Sequence, residues 1–163
     1  MVNAVRMNGD IIAYAALAAL AILLLVSIYT DIRYRLIHNK LNLAIAALAP
    51  IYWYATEPLT MSGVGLHLLT AACTFLLFSI FFALRAMGGG DVKLFAALAL
   101  WFPWVDVVRM IFLATLLGAA VTIFFLIIHK VRQGVGPARI PYGVAISIAG
   151  LWAAGERFFN HFT

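Results

Sequence analysis

The sequence predicts an all-α integral membrane protein, with about six transmembrane helices in a single domain over residues 1–163. Of the 163 residues, 66% are hydrophobic and only 10% are charged, and the mean hydropathy is +1.06. Since a soluble domain carries about 25% charged residues, this chain would expose far too much apolar surface in water. Its length fits one domain, and we expect a lipid bilayer around it.

Three long apolar runs predict membrane spans, because a helix needs about 20 apolar residues to cross a bilayer. These runs are Ile11–Tyr29, Val64–Leu84 and Val107–Ile128. The first lacks the small-residue cleavage pattern of a signal peptide, so we expect it to be retained. Three shorter runs fit either spanning helices or re-entrant and interfacial ones: Leu41–Thr56, Val92–Val105 and Gly143–Phe159. Pro103 and Asp106 interrupt the chain after Val92, which favours a helix, a turn and a second helix.

Basic residues in the short connections predict the orientation, because Lys and Arg are enriched in cytoplasmic loops. The first, third and fifth connections hold eight: Arg33, Arg35, Lys40, Arg85, Lys93, Lys130, Arg132 and Arg139. The opposite side holds three: Arg6, Arg109 and Arg157. We therefore expect both termini outside and those three connections in the cytoplasm. The net charge of +5 forms no clustered basic face, so nucleic-acid binding is not predicted.

Two aspartates lie at the predicted cytoplasmic ends of apolar helices. Asp31 follows the first run, and Asp91 follows Gly88–Gly90 directly, ahead of a helix expected to begin near Val92. A carboxylate at a membrane boundary is costly unless it reaches water or a partner, which makes it a functional candidate. Acting together, one ionised carboxylate could activate water while the other, protonated, donates to the carbonyl oxygen of an amide.

Each aspartate also has a structural interpretation. Asp31 could end its helix in solvated ion pairs with Arg33 and Arg35. Asp91 could cap a helix start by accepting a hydrogen bond from a backbone N–H. The glycines before it could form a flexible turn, or adopt positive φ and let another backbone approach closely. For the whole protein, the alternatives to an enzyme are an ion- or proton-coupled transporter using Asp31 and Asp91, and a structural assembly protein. Transport sites usually lie near mid-membrane rather than at helix ends.

No metal site or cofactor is predicted. His67, His129 and His161 are scattered over different helices and edges, and His38 stands alone in a loop beside Lys40. A metal site needs several such ligands close together. The single cysteine, Cys73, lies in an apolar run, so neither a disulfide framework nor a multi-cysteine metal site is expected.

Three segments, in order along the chain, resemble the type IV prepilin peptidase family. Residues 30–39, Thr-Asp-Ile-Arg-Tyr-Arg-Leu-Ile-His-Asn, resemble its first catalytic region, where an Asp is followed by basic residues and then Ile-Pro-Asn. Gly88–Asp91 matches its GxGD motif and continues as Val-Lys-Leu. Residues 139–143, Arg-Ile-Pro-Tyr-Gly, resemble the stretch leading into its last helix. The resemblance runs from about Tyr29 to Gly150, and it departs from the family at His38, where proline is common.

The resemblance implies an aspartic endopeptidase of the bacterial inner membrane, with Asp31 and Asp91 as its catalytic pair. It places Gly88, Gly90 and Lys93 in the active-site loop. Such enzymes remove the leader of prepilins at the cytoplasmic face, just before the apolar pilin helix, for pilus assembly. The short length is similar to the peptidase-only branch that serves Flp-type (tight-adherence) pili. The larger relatives carry an N-terminal soluble portion with a cysteine tetrad and also methylate the new N-terminus. That portion is missing from this sequence, so methyltransferase activity is not expected, and the family implies no cofactor.

Overall fold

The described part of the chain, residues 2–56, 60–131 and 140–160 of a computed structural model, consists of six α-helices and no strands. In chain order they are α1 (Val2–Tyr34), α2 (Asn39–Thr56), α3 (Met61–Ala83), α4 (Gly89–Ala99), α5 (Trp104–Val131) and α6 (Tyr142–Asn160). The predicted all-α class is confirmed.

Three of these helices are long and apolar enough to cross a membrane: Gly9–Tyr34 within α1, Met61–Ala83 and Trp104–Val131. They correspond to the three long apolar runs of the sequence and confirm them. Their outer faces carry large apolar side chains, such as Leu76 on α3 and Phe112 on α5, each 66% exposed. Apolar surface of this extent on the outside of a helical bundle fits contact with lipid tails.

The shortest helix, α4, differs from the run Val92–Val105 that the sequence predicts. It begins three residues earlier, at Gly89, and ends at Ala99 after eleven residues. At 1.5 Å per residue it is about 16 Å long, too short for a hydrocarbon core of ~30 Å. It therefore fits the re-entrant alternative rather than a full span. A turn that includes Pro103 separates it from α5, which confirms the helix, turn and helix predicted there.

The short helix α4 lies in the core of the bundle, packed against α2, α3 and α6. Its buried residues are Val92, Leu94, Phe95, Ala97, Leu98 and Ala99. Phe95 stacks face to face on Phe78 of α3, with ring centroids 4.1 Å apart. Because protein rather than lipid surrounds α4, the free backbone groups at its first turn can line a cavity inside the bundle.

Two tryptophans tie α2 to the C-terminal end of α4. Trp53 Nε1 donates a hydrogen bond to the Leu100 carbonyl at 2.8 Å. Trp101 Nε1 donates to the Ile45 carbonyl at 2.9 Å. Both bonds are largely shielded from solvent, and together they fix the position of α4 along α2.

The two faces of the bundle carry different charged groups. On one face, where α5 begins and α6 ends, Asp106 pairs with Arg157 at 2.7 Å and with Arg109 at 3.6 Å. On the other face, the α1–α2 connection, the α3–α4 connection and the start of α6 line one pocket. The first and third connections therefore lie on the same face as the start of α6, and the assignment of this face to the cytoplasm stays a prediction. Arg132, Arg139 and His161 lie outside the described residues.

Candidate active site

An open pocket of about 450 Å³ contains both Asp31 and Asp91. Three separate segments form it: the end of α1 with the loop to α2, the connection from α3 to α4, and the start of α6. Its wall also includes Arg35, Ile37, Arg85, Gly88, Gly90 and Tyr142. The fold thus brings together the two carboxylates that the sequence singled out on different helices.

The Asp31 carboxylate is buried, with 5% of the residue exposed. Its Oδ2 accepts a hydrogen bond from the Val144 backbone N–H at 3.1 Å, and the Gly143 N–H makes a second, weaker contact. Gly143 and Val144 lie in the first turn of α6, where backbone N–H groups have no partner within the helix. Asp31, on α1, therefore caps α6 by accepting hydrogen bonds from these N–H groups. The interpretation as solvated ion pairs is wrong, because Asp31 forms no salt bridge with Arg33 or Arg35.

The glycine at position 143 leaves room for the contact between Asp31 and α6. A Cβ atom on Gly143 would lie 2.9 Å from Asp31 Oδ2 and 2.5 Å from Ile37 Cδ1. Both distances are shorter than ordinary nonbonded contacts, so the Asp31 and Ile37 side chains or the start of α6 would have to shift. The Pro141-Tyr142-Gly143 segment was recognised in the sequence, but this function of its glycine was not.

Asp91 lies in the first turn of α4, as the third helical residue after the N-cap Gly88. Its Oδ2 accepts a hydrogen bond from the Gly88 N–H at 3.3 Å. The capping alternative is therefore confirmed in part. The Asp91 side chain accepts a hydrogen bond at the helix start, but Asp91 itself lies inside the helix and Gly88 is the N-cap residue. Gly88 is the one hydrogen-bond donor to this carboxylate among the described residues, which leaves its other oxygen available to the pocket.

Burial, chiefly, and the neighbouring Asp31 carboxylate raise the pKa of Asp91 to about 7, while the Gly88 N–H acts in the opposite direction. Asp91 lies outside the three helices that are long enough to cross the membrane. A carboxyl group with this pKa is protonated in about half of the molecules at pH 7. Two carboxylates that share a site do not ionise together easily, so this pair can present one acid and one base at once.

The three glycines before Asp91 form the start of α4 rather than a loop. Gly88 has φ −74°, and Gly89 and Gly90 lie within the helix. None of the three adopts a positive φ, so that expectation is wrong. Positive φ occurs instead at two non-glycine residues that line the pocket: Arg35 (54°), directly after α1, and Arg85 (56°), which follows the C-cap residue of α3.

Close packing explains why glycine is needed at position 90. A Cβ atom there would lie 3.1 Å from the Ile37 carbonyl oxygen and 3.2 Å from Ile37 Cβ. Both are tight contacts with atoms that cannot move independently of the loop backbone. Another backbone does approach these glycines closely, as the sequence suggested, and it belongs to the α1–α2 loop that follows Asp31.

Ile37 connects the two halves of the pocket, a function that we did not predict. It is 5% exposed and contacts both the Gly90 side, which bears Asp91, and the Gly143 side, which holds Asp31. The available signal was a pair of apolar residues, Leu36 and Ile37, in a short connection that also holds Arg35 and His38. The sequence alone could not identify the two glycines against which it packs.

Lys93 and His38 do not enter the pocket. Lys93 Nζ donates a hydrogen bond to Asn39 Oδ1 on α2 at 2.8 Å, in an exposed position. The His38 carbonyl accepts the first backbone hydrogen bonds of α2, from Leu41 and Asn42. A backbone carbonyl can make these bonds whatever the side chain is, so the replacement of the family proline leaves the helix start intact.

Arg35 places a positive charge beside Asp31 without pairing with it. Its guanidinium carbon lies 4.7 Å from the centre of the Phe125 ring on α5, a distance at which cation–π attraction holds the group in place. Within the ranges 2–56, 60–131 and 140–160, no group of three His, Cys, Asp or Glu residues is arranged to hold a metal ion.

Comparison with known proteins identifies the family of the chain. The model of a family described as the type IV leader peptidase family matches residues 9–123, which include both aspartates. A prepilin leader peptidase/N-methyltransferase of Legionella pneumophila is 26% identical over 154 residues, covering 88% of this chain and 51% of the relative. The chain thus spans about half the length of this curated relative. No solved structure matches the chain. Since the family match covers well over half of its residues and contains the paired aspartates, the chain belongs to the type IV leader peptidase family.

Proposed function

We propose that this protein is a membrane aspartic endopeptidase that removes the leader peptide of prepilins, those of Flp type in particular. The observation that carries the proposal is the presence of Asp31 and Asp91 in one open pocket at one face of the bundle. Membership of a leader peptidase family supports the reaction. The name of the Legionella relative supports prepilins as the substrate class.

In the proposed mechanism, Asp31 acts as the general base and Asp91 as the general acid. Asp31 takes a proton from a water molecule, whose oxygen attacks the scissile carbonyl carbon, while Asp91 gives its proton to the carbonyl oxygen. The tetrahedral product then collapses: Asp31 transfers its proton to the amide nitrogen, the C–N bond breaks, and Asp91 recovers a proton from the hydroxyl group. The N–H groups of Gly143 and Val144 hold Asp31 in place throughout.

The surroundings of the pocket favour a substrate that is itself embedded in the membrane. An apolar cleft of about 420 Å³ between α3, α4, α5 and α6 adjoins the pocket and shares Met87 and Tyr142 with it. A substrate whose cleaved bond precedes an apolar helix could present that bond to Asp31 and Asp91 while its helix remains in an apolar environment. Prepilins have this organisation.

The transporter alternative fits the site less well. Asp31 lies near the end of α1 and Asp91 at the start of α4, in a pocket formed by connections at one face of the bundle. Transporters usually bind their ions near the middle of the membrane, between repeated halves of the fold. A pair of acids at one face, open to a peptide, is better suited to hydrolysis.

The purified protein tests this proposal with an Flp-type prepilin, a type IV prepilin of another class and S-adenosylmethionine. We expect cleavage at the leader junction, faster for the Flp-type substrate, and a mature N-terminus that carries no methyl group by mass spectrometry. Reconstitution in liposomes with a pH-sensitive dye tests the transporter. If the folded protein cleaves neither prepilin but carries protons or cations in the liposomes, the peptidase assignment is wrong.

We infer that the protein lies in the bacterial inner membrane with the pocket facing the cytoplasm, because of the eight-to-three distribution of basic residues. In a Cys73→Ala background, Lys40→Cys should react only with a reagent that reaches the cytoplasm. Thr60→Cys, at the N-cap of α3, should react only from outside. Both positions are exposed. Labelling in the opposite sense would place the pocket on the outer face and contradict the orientation.

Prepilin cleavage is expected to lose rate as the pH rises through about 7. The pKa of Asp91 is raised to about 7, so the acid is present below that pH and is lost above it. At higher pH both carboxylates are ionised, and kcat/KM should fall by about tenfold per pH unit. The measurement is kcat/KM from about pH 5 to about pH 9, with the melting temperature recorded at each pH. A rate that rises through pH 7 in stably folded protein would show that Asp91 does not act as an acid.

A further inference from the structure

Asn42 of α2 is buried beneath the start of α4, with 5% of the residue exposed. Its Nδ2 donates a hydrogen bond to the Gly90 carbonyl at 3.0 Å. Because a backbone carbonyl can only accept, the amide nitrogen is the atom that must face it. This contact joins α2 to the peptide unit immediately before Asp91.

The hydrogen bond from Asn42 to Gly90 constrains the backbone directly before Asp91. The Gly90 carbonyl belongs to the planar peptide unit that continues into the Asp91 backbone nitrogen. On its other side, the same glycine rests against the Ile37 backbone. Fixing the Gly90 carbonyl therefore fixes the direction in which the Asp91 side chain leaves the helix.

Packing alone does not account for an asparagine at position 42. Its Oδ1 is buried and has no hydrogen-bond partner among the described residues, and a buried acceptor without a partner is destabilising. A leucine of similar size would avoid that cost. The polar side chain is explained by the one bond that it makes, to Gly90.

We propose that Asn42 is a positioning residue for Asp91, which holds the first turn of α4 so that the Asp91 carboxyl group faces Asp31 across the pocket. The inference rests on the proposed peptidase function for its kinetic consequences. The placement of Asp91 beside Asp31, which the inference also predicts, can be tested without any substrate.

The chain offers a matched control for this bond. Trp53→Phe removes another side chain-to-backbone hydrogen bond between the same two helices, from Trp53 Nε1 to the Leu100 carbonyl at 2.8 Å. That bond lies at the far end of α4 from Asp91. A general loosening of α2 from α4 should affect both variants alike, whereas a positioning effect should appear at Asn42 alone.

In the purified protein, Asn42→Leu is expected to lower kcat for prepilin cleavage by about 10- to 100-fold, because small displacements of reacting groups cost rates of this order. We expect KM to change by less than about twofold, and Trp53→Phe to keep the wild-type kcat. Asn42→Ala serves if the leucine variant fails to fold. Wild-type kcat in folded Asn42→Leu and Asn42→Ala, or an equal loss in Trp53→Phe, would overturn the proposal.

A titration by NMR with carboxyl-labelled aspartate separates this inference from the proposed function. The Asp91 signal, assigned by its loss in Asp91→Asn, should titrate near pH 7 in the wild type and at lower pH in Asn42→Leu, where the carboxyl group moves away from Asp31. This shift without prepilin cleavage by the wild type would contradict the peptidase and support the positioning. An unchanged midpoint in Asn42→Leu would overturn the positioning even if the wild type cleaves prepilins.

Discussion

Asp31→Asn and Asp91→Asn are each expected to abolish prepilin cleavage, lowering kcat by about 10²- to 10⁴-fold or more. An amide neither takes the proton from water nor supplies one to the carbonyl oxygen, and each of these functions contributes a factor of that order. The measurement is single-turnover cleavage of a prepilin at equal amounts of folded, membrane-inserted protein.

Asparagine is the informative replacement because it separates catalysis from helix capping. Asn and Asp are about equally good at N-cap positions, so an asparagine at position 31 can still accept the Val144 N–H that Asp31 accepts at 3.1 Å. If Asp31 only capped α6, Asp31→Asn would keep both the melting temperature and the activity. Under our proposal the melting temperature stays and the activity disappears.

Asp106→Asn is the matched control for both variants. Asp106 is a half-buried carboxylate with close partners, Arg157 at 2.7 Å and Arg109 at 3.6 Å, and it lies at the opposite face of the bundle. We expect this variant to lose some stability and to keep the wild-type kcat per folded molecule. Near wild-type cleavage by Asp31→Asn or Asp91→Asn would show that the pair is not catalytic.

Hydropathy predicted the outer helices well, because the requirement for a long apolar run is imposed by the bilayer and not by the rest of the fold. The runs at Ile11–Tyr29, Val64–Leu84 and Val107–Ile128 reappear within α1, α3 and α5. The ends of α3 and α5 shift by at most three residues, whereas α1 begins earlier, at Val2, and ends later, at Tyr34. The turn that includes Pro103 was also predictable, since proline lacks the N–H that a continuing helix would need.

The start of α4 was not predictable in the same way. Glycine weakens a helix interior, so Gly88–Gly90 indicated a loop, with the helix beginning near Val92. In the fold, Gly89 and Gly90 form the first turn of the helix. The requirement for a small residue comes from the Ile37 backbone, whose carbonyl oxygen would lie 3.1 Å from a Cβ at position 90. A tertiary contact of this kind leaves no periodic signal in the sequence.

The sequence predicted which two residues form the candidate site, but not how they are placed relative to each other. Charge in the loops placed Asp31 and Asp91 on the same side, but their separation in sequence is too large for local geometry to bring them together. The fold joins them through residues that looked unremarkable: Ile37 between the segments, Asn42 under the first turn of α4, and Gly143 against Asp31. Each acts through a contact with a distant part of the chain.

Gly143→Ala is expected to reduce prepilin cleavage by about 100-fold, although it adds a single methyl group. That methyl carbon would lie 2.9 Å from Asp31 Oδ2 and 2.5 Å from Ile37 Cδ1, so either the Asp31 and Ile37 side chains or the start of α6 must move. Asp31 would then lose its backbone N–H donors and its position relative to Asp91. A displacement of about 1 Å is enough for a rate loss of this size, and overpacking of this kind typically costs about 1–3 kcal/mol of stability.

Gly155→Ala, in the same helix, is the control for this substitution. A Cβ atom on Gly155 would meet nothing within 4 Å, so cleavage should stay at the wild-type rate. Replacing a glycine by alanine inside a helix should also raise the stability by roughly 0.5–1 kcal/mol. Any general effect of alanine on α6 would appear in both variants.

A second substitution separates the two contacts made by the new methyl group. Ile37→Ala in the Gly143→Ala background removes the clash with Ile37 Cδ1 but leaves the one with Asp31 Oδ2, so it should recover part of the stability and little of the activity. Thermal unfolding and kcat, measured on Gly143→Ala, the double variant and Ile37→Ala alone, test this expectation. Wild-type cleavage by Gly143→Ala itself would mean that α6 need not touch Asp31 during catalysis, and the orientation proposed for the base would then be wrong.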